Sequence, residues 1–146
     1  MNVYTIGFTK KNAETFFSFM RSFHIKTLID VRLNNASQLA GFAKKDDLKF
    51  FLRELSSTEY VHLLELAPTR ELLAPYQKGE ISWAAYEEKF LDLMAKRNVE
   101  RSVTAALLDQ GCLLCSEHEP HRCHRRLVVE YLNQTSGLDL IVKHLY

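Results

Sequence analysis

The sequence predicts a single-domain, three-layer α/β/α fold with a mainly parallel sheet of about five strands. Short β-branched or aromatic runs alternate along the chain with segments whose apolar residues recur at helical spacing. Nearly every strand-like run is followed by a polar or ionisable residue at its carboxyl end, where such sheets collect ligands. A length of 146 residues suits one domain with a core large enough to need no staples. No internal repeat, low-complexity tract or linker divides residues 1–146.

Val3 to Phe8, VYTIGF, reads as a buried strand ending at Gly7. Asn12 is placed to cap a helix whose Phe16, Met20 and Phe23 share one face. Ile25 to Val31 forms the second strand and runs into a polar loop from Arg32 to Lys45. Asp46 is expected to cap a helix with Leu48, Phe51, Leu52 and Leu55 on its buried stripe. Tyr60 to Leu66 is the third strand, stopped by Pro68. The segment from Ala67 to Ile81, with Pro68, Pro75 and Gly79, lacks periodicity and is expected to arch over one face. Ser82 caps the next helix, with Tyr86, Phe90, Leu93 and Met94 on its apolar side, and Asn98 ends it. Val99, Val103, Ala106 and Leu107 suggest a further helical piece. A strand from Gly111 to Cys115, a helix to about Leu132, a turn at Gly137 and a strand from Leu140 to Leu145 complete the chain.

A net charge of +1 supplies no global attraction to nucleic acid or membranes. No apolar run approaches the ~18 residues of a membrane span, and MNVYTIGF does not read as a signal peptide. Three clustered cysteines suit a reducing compartment better than a disulfide framework, so the cytoplasm is the expected location. No membrane partner is expected.

Chemistry concentrates in Gly111 to Arg126, GCLLCSEHEPHRCHRR. It holds all three cysteines, three of the six histidines, Glu117, Glu119, Arg122, Arg125 and Arg126. Strand, polar loop and helix start follow one another there, the arrangement in which α/β folds place ligands. The other strand ends add Gly7, Thr9 and Lys10; Asp30, Arg32, Asn34 and Ser37; Glu65, Thr69 and Arg70; and His144.

YTIGF near the start, IDVR at 29–32 and above all LLCSEHEPHRCHR give a resemblance to the domain of unknown function 488 (DUF488) family. The resemblance runs from about Val3 to His144, and its most specific part is Cys115, Glu117, Cys123, His124 and Arg125. It implies a compact α/β fold and leaves the chemistry to the residues. LIDVR is also similar to rhodanese-like domains, but Ser-Glu-His-Glu-Pro-His after Cys115 is not their small-residue loop, so rhodanese or phosphatase activity is not expected.

Three chemistries and one structural reading fit the cluster. Cys115, Cys123 and His124, with Cys112 or His118, offer zinc ligands, although an extended Gly111–Cys115 turns Cys112 and Cys115 to opposite faces. A cysteine at a strand end or helix start near arginines gains thiolate character. Helix amides with Arg122, Arg125 and Arg126 suit a phosphate, and Glu117 can serve as base or hydrogen-bond acceptor. Alternatively Cys115 and Cys123 pack as thiols, Cys112 is core, and Arg125 braces the loop against Glu117 or Asp30. The anion reading uses the most residues at once.

The expected partner is therefore a phosphate-bearing small molecule or nucleic acid, with no cofactor and zinc as the alternative. Glu117, Cys115 and Cys123 are the candidate catalytic residues. Gly7, Thr9, Asp30, Arg32, Ser37, His124 and Arg125 are the candidate ligand-binding residues. The competing function is a non-catalytic module whose Cys-His cluster holds zinc or senses oxidation. Trp83, Tyr86 and Phe90 read as core rather than a base-stacking platform, and neither His24 nor His62 has an evident partner.

Overall fold

The computed structural model describes residues 1–35, 41–117 and 121–146. Five strands, β1 (Asn2–Gly7), β2 (Thr27–Asp30), β3 (Glu59–His62), β4 (Gly111–Cys115) and β5 (Ile141–Leu145), form one sheet in the order β3-β2-β4-β1-β5. Every pairing is parallel. Chain order and spatial order differ because parallel neighbours need crossovers, and helices supply them. The register sets Gly7 beside Cys115 and Asp30 between Leu114 and His62. The carboxyl ends of the four strands that carry the candidate residues thus lie along one edge.

Alternation along the strands divides the core into two layers. Tyr4, Ile6, Leu28, Cys112 and Leu114 face α1 (Ala13–Ser22) and α2 (Lys45–Ser56). Val3, Ile29, Leu113 and Cys115 face the other layer, built from α3 (Arg70–Gln77), α4 (Trp83–Arg97), the short turns α5 (Val99–Ser102) and α6 (Ala105–Leu108), and α7 (His124–Thr135). Cys112 and Cys115 do fall on opposite faces. Burial pushes the Cys112 thiol well above its ordinary pKa, so it is an inert core residue.

Local chemistry explains most boundaries. The Asn12 side chain accepts from the Thr15 amide at 2.8 Å, and the Ser82 hydroxyl accepts from the Ala85 amide at 3.1 Å. Asn98 takes a left-handed conformation (φ 51°) to close α4, a backbone state asparagine tolerates better than most residues. Four expectations change. Asp46 does not cap α2; Lys44 holds that position without a side-chain bond, and Asp46 and Asp47 instead lie in the first turn, where the helix dipole favours acids. Leu55 is 45 % exposed, while Leu48 and Leu52 are buried and Phe51 packs partly buried beside them. The 67–81 segment contains α3, capped by the Thr69 hydroxyl on the Leu72 amide at 3.2 Å, with Pro75 inside it. The third strand is also shorter than expected, giving way to a tight helical turn at Leu64–Leu66. Among the described residues no helix is long and apolar enough to cross a membrane.

Candidate functional site

A cavity of about 500 Å³ opens where β2 and β4 end and α7 begins. Among the sequence-predicted residues, Arg32, Asn34, Arg70, Cys115, Glu117, Arg122, Cys123 and His124 line it. Gly7, Thr9, Asp30 and Arg125 do not line it, and each has a definable role behind the wall. Ser37 lies outside the described residues.

At the end of β2, Arg32 is 3 % exposed and faces Asp30, which is fully buried. Arg32 Nε donates to Asp30 Oδ1 at 2.9 Å and Nη2 to Oδ2 at 2.8 Å, a two-toothed pair that aligns both planar groups. Nη2 also donates to the Ala43 carbonyl at 2.7 Å, and the Tyr60 hydroxyl donates to Asp30 Oδ2 at 2.6 Å. Burial and this bond to Asp30 push the Tyr60 phenol far above its ordinary pKa. The remaining guanidinium nitrogen, Arg32 Nη1, is buried with no hydrogen-bond partner among the described residues. A buried donor left unmade costs about 1–3 kcal/mol, so it marks a place where an acceptor is expected.

The end of β4 is braced differently. Arg125 is fully buried in the first turn of α7. Its Nη1 donates to the Glu117 main-chain carbonyl and to Cys115 Sγ, the latter at 3.1 Å, and Nε reaches Thr5 Oγ1 at 3.3 Å. Gly7 makes this approach sterically feasible: a Cβ there would collide with the Glu117 carbonyl and crowd Arg125 Nη1. Thr9 prolongs the β1–β4 ladder, its amide donating to the Ser116 carbonyl at 3.2 Å. The guanidinium depresses its neighbours. Lys11 is lowered to about 8, first by burial and then by Arg125, and burial followed by Arg125 also lowers His144. His144 Nδ1 meets Thr5 Oγ1 at 2.6 Å, and the same hydroxyl oxygen accepts from Arg125 Nε.

Two histidines fasten the strand-β2 exit. His124 Nε2 donates to the Val31 carbonyl at 2.7 Å, and His62 Nε2 donates to the Arg32 carbonyl at 2.7 Å. A carbonyl only accepts, so the proton sits on Nε2 in both rings. Burial lowers His124 to about 4, outweighing the opposing effect of that bond, and the ring is neutral at pH 7. Asn35 completes the group, its amide nitrogen 3.1 Å from both Tyr60 Oη and His62 Nδ1.

The Cys115 and Cys123 sulfurs lie against each other, holding the end of β4 beside the start of α7. The return of the loop on itself brings strand end and helix start together, the facing pair that the sequence offered as one reading of the cluster. Among the described residues no group of three or more His, Cys, Asp and Glu side chains is arranged to hold a metal ion. His118, one of the alternative zinc ligands, lies outside them.

The aromatic wall is one that sequence reasoning missed. Tyr76 on α3 and Trp83 and Tyr86 on α4 line the cavity beside the expected Arg70 and Arg122. Tyr86 and Phe90 are core as expected, but Trp83 and Tyr76 are only partly buried and edge onto Tyr86, with ring centroids 5.3 and 4.9 Å away. The signal for Trp83 was present as a 3-4 spaced aromatic stripe. Tyr76 gave none, because its helix contains a proline.

A strand-end cavity, an arginine paired with Asp30 and the Cys-x-Glu and Cys-His-Arg residues lie together at one edge of a small α/β domain. The family model of the domain of unknown function DUF488 matches residues 12–132, and the chain belongs to that family. No curated protein and no solved structure gives a significant match.

Proposed function

We propose that this domain binds a phosphate-bearing ligand, a nucleotide or nucleic-acid end, in the cavity at the Cys-x-Glu…Cys-His-Arg loop. The observation that carries the reading is Arg32: a cavity-lining arginine, fixed by Asp30, with one buried donor lacking an acceptor among the described residues. A phosphate oxygen supplies that acceptor. Arg70 and Arg122 add positive charge on the same wall, and Cys123 sets the amino end of α7, whose backbone amides favour an anion. Glu117, also lining the cavity, is the acceptor for a ligand hydroxyl or amine, and the general base in any turnover. Arg125 supports this site through the Glu117 carbonyl rather than by touching the anion.

Calorimetric titration with nucleoside phosphates tests binding, and Glu117→Gln tests catalysis. With a turned-over nucleotide, Glu117→Gln is expected to abolish turnover while keeping affinity within about threefold. Unchanged turnover by that variant removes Glu117 from the chemistry.

The facing Cys115 and Cys123 sulfurs favour a second reading, a non-catalytic module that senses oxidation. It is supported if thiol counting shows two cysteines that oxidise and reduce reversibly while no nucleotide binds either form. Zinc recovered in stoichiometric amount with the reduced protein would instead favour a Cys-His metal site.

A further inference from the structure

The cavity is lined by two chemically distinct walls, and only one of them suits a phosphate. Arg32, Cys123 and His124 make a polar end. From there a ladder of rings runs along one face of α4. His124 packs on Phe90 at 5.6 Å, Phe90 on Tyr86 at 6.0 Å, and Tyr86 on Trp83 at 5.3 Å, with Tyr76 against Trp83 at 5.5 Å. The cavity, about 500 Å³, falls within the roughly 300–1,000 Å³ that single small molecules occupy.

Partly buried aromatic rings at the rim of a cavity offer a π-face that any nucleobase can stack on. A polymer would need more. Nucleic-acid affinity grows with the number of phosphates neutralised, whereas this chain carries a net charge of only +1 and three arginines on the cavity wall.

We infer that the ligand is a single nucleoside monophosphate, its phosphate beside Arg32 and the start of α7 and its base seated against Trp83 and Tyr76. This rests on the phosphate reading above and adds the aromatic half of the ligand and its size. Glu117 faces the ribose and base from the cavity wall, placed to accept from a hydroxyl or an exocyclic amine.

Trp83 is the one tryptophan in the chain, so its fluorescence reports on the proposed base seat alone. The experiment titrates the natural protein with AMP, GMP, CMP and UMP, with ribose 5-phosphate, and with a short single-stranded oligonucleotide. At least one monophosphate is expected to quench Trp83 and to bind about tenfold or more tighter than ribose 5-phosphate. Calorimetry on Trp83→Ala should show that margin collapse, while Trp83→Phe keeps most of it. Ribose 5-phosphate binding as tightly as every nucleotide would overturn the base seat and leave the phosphate reading standing. Tighter binding of the oligonucleotide, falling steeply with salt, would overturn the single-nucleotide assignment. Binding of none of them would overturn both.

Discussion

The end of β2 and the end of β4 each present a buried arginine, and the two are used in opposite ways. Arg32 is aligned by a carboxylate, lines the cavity and keeps one donor without an acceptor. Arg125 is engaged by Thr5, Cys115 and the Glu117 carbonyl and lies behind the cavity wall. On the proposed reading the same side chain serves ligand capture at one strand end, while at the next it serves loop architecture. Pairing with Asp30 fixes the Arg32 guanidinium geometrically, so a ligand at the proposed site would meet a preset donor rather than a flexible one. Arg125 braces the loop, and burial first, then its charge, lowers Lys11 and His144.

Removing each arginine in turn separates these roles. Arg125→Ala strips the bonds to Thr5, Cys115 and Glu117 and opens a buried void, an expected loss of about 3–4 kcal/mol in denaturant unfolding. A loss below about 1 kcal/mol would mean the loop does not depend on it.

Acid should act where the two regions meet, at His124, which joins α7 to the Val31 carbonyl at the end of β2. The unfolded chain protonates this ring as pH falls below about 6.5, whereas the folded protein resists until about 4. Stability is thus complete above pH 6.5 and declines between the two values, by roughly 3 kcal/mol at the acid end. His144 is lowered as well and adds in the same direction. His124→Gln should flatten the profile across that window in unfolding titrations at several pH values; an unaltered profile would assign the acid loss elsewhere.

The smallest effect is expected from Arg32→Lys, which keeps a cation for Asp30 but loses the fork and Nη1. Nucleotide affinity should fall about tenfold, equivalent to about 1.4 kcal/mol, with the melting temperature changing less than in Arg125→Ala. Equal affinity in Arg32→Lys and the natural protein would move the anion site away from the end of β2.

Much of this architecture can be read from local signals. Asn12 and Ser82 act as caps because a short oxygen side chain before an apolar stripe has few other uses. Gly111–Cys115 is a fully buried strand, and its alternation correctly separates Cys112 from Cys115. Helix α3 was hidden because Pro75, which lies in its last turn, is a breaker by composition. At the site, the strand-end rule gathered Arg32, Cys115, Glu117, Cys123 and His124 on one cavity. It could not separate Arg32 from Arg125, since both are arginines following a strand or loop and differ only in the acceptors that tertiary folding delivers. His62 lacked an evident partner for the same reason: its acceptor, the Arg32 carbonyl, is 30 residues away. Gly7 was read as a ligand contact, whereas the close approach of the Glu117 carbonyl is what requires glycine there.

The most direct test of the division between the two arginines is nitrogen NMR of the guanidinium groups during a nucleotide titration, with Arg32→Lys and Arg125→Lys used to assign the two signals. The account predicts that the Arg32 resonance shifts and its Nη1 protons become protected as ligand is added, while Arg125 keeps its protected, free-state signal. A shift confined to Arg125, with Arg32 unmoved at saturation, would contradict it.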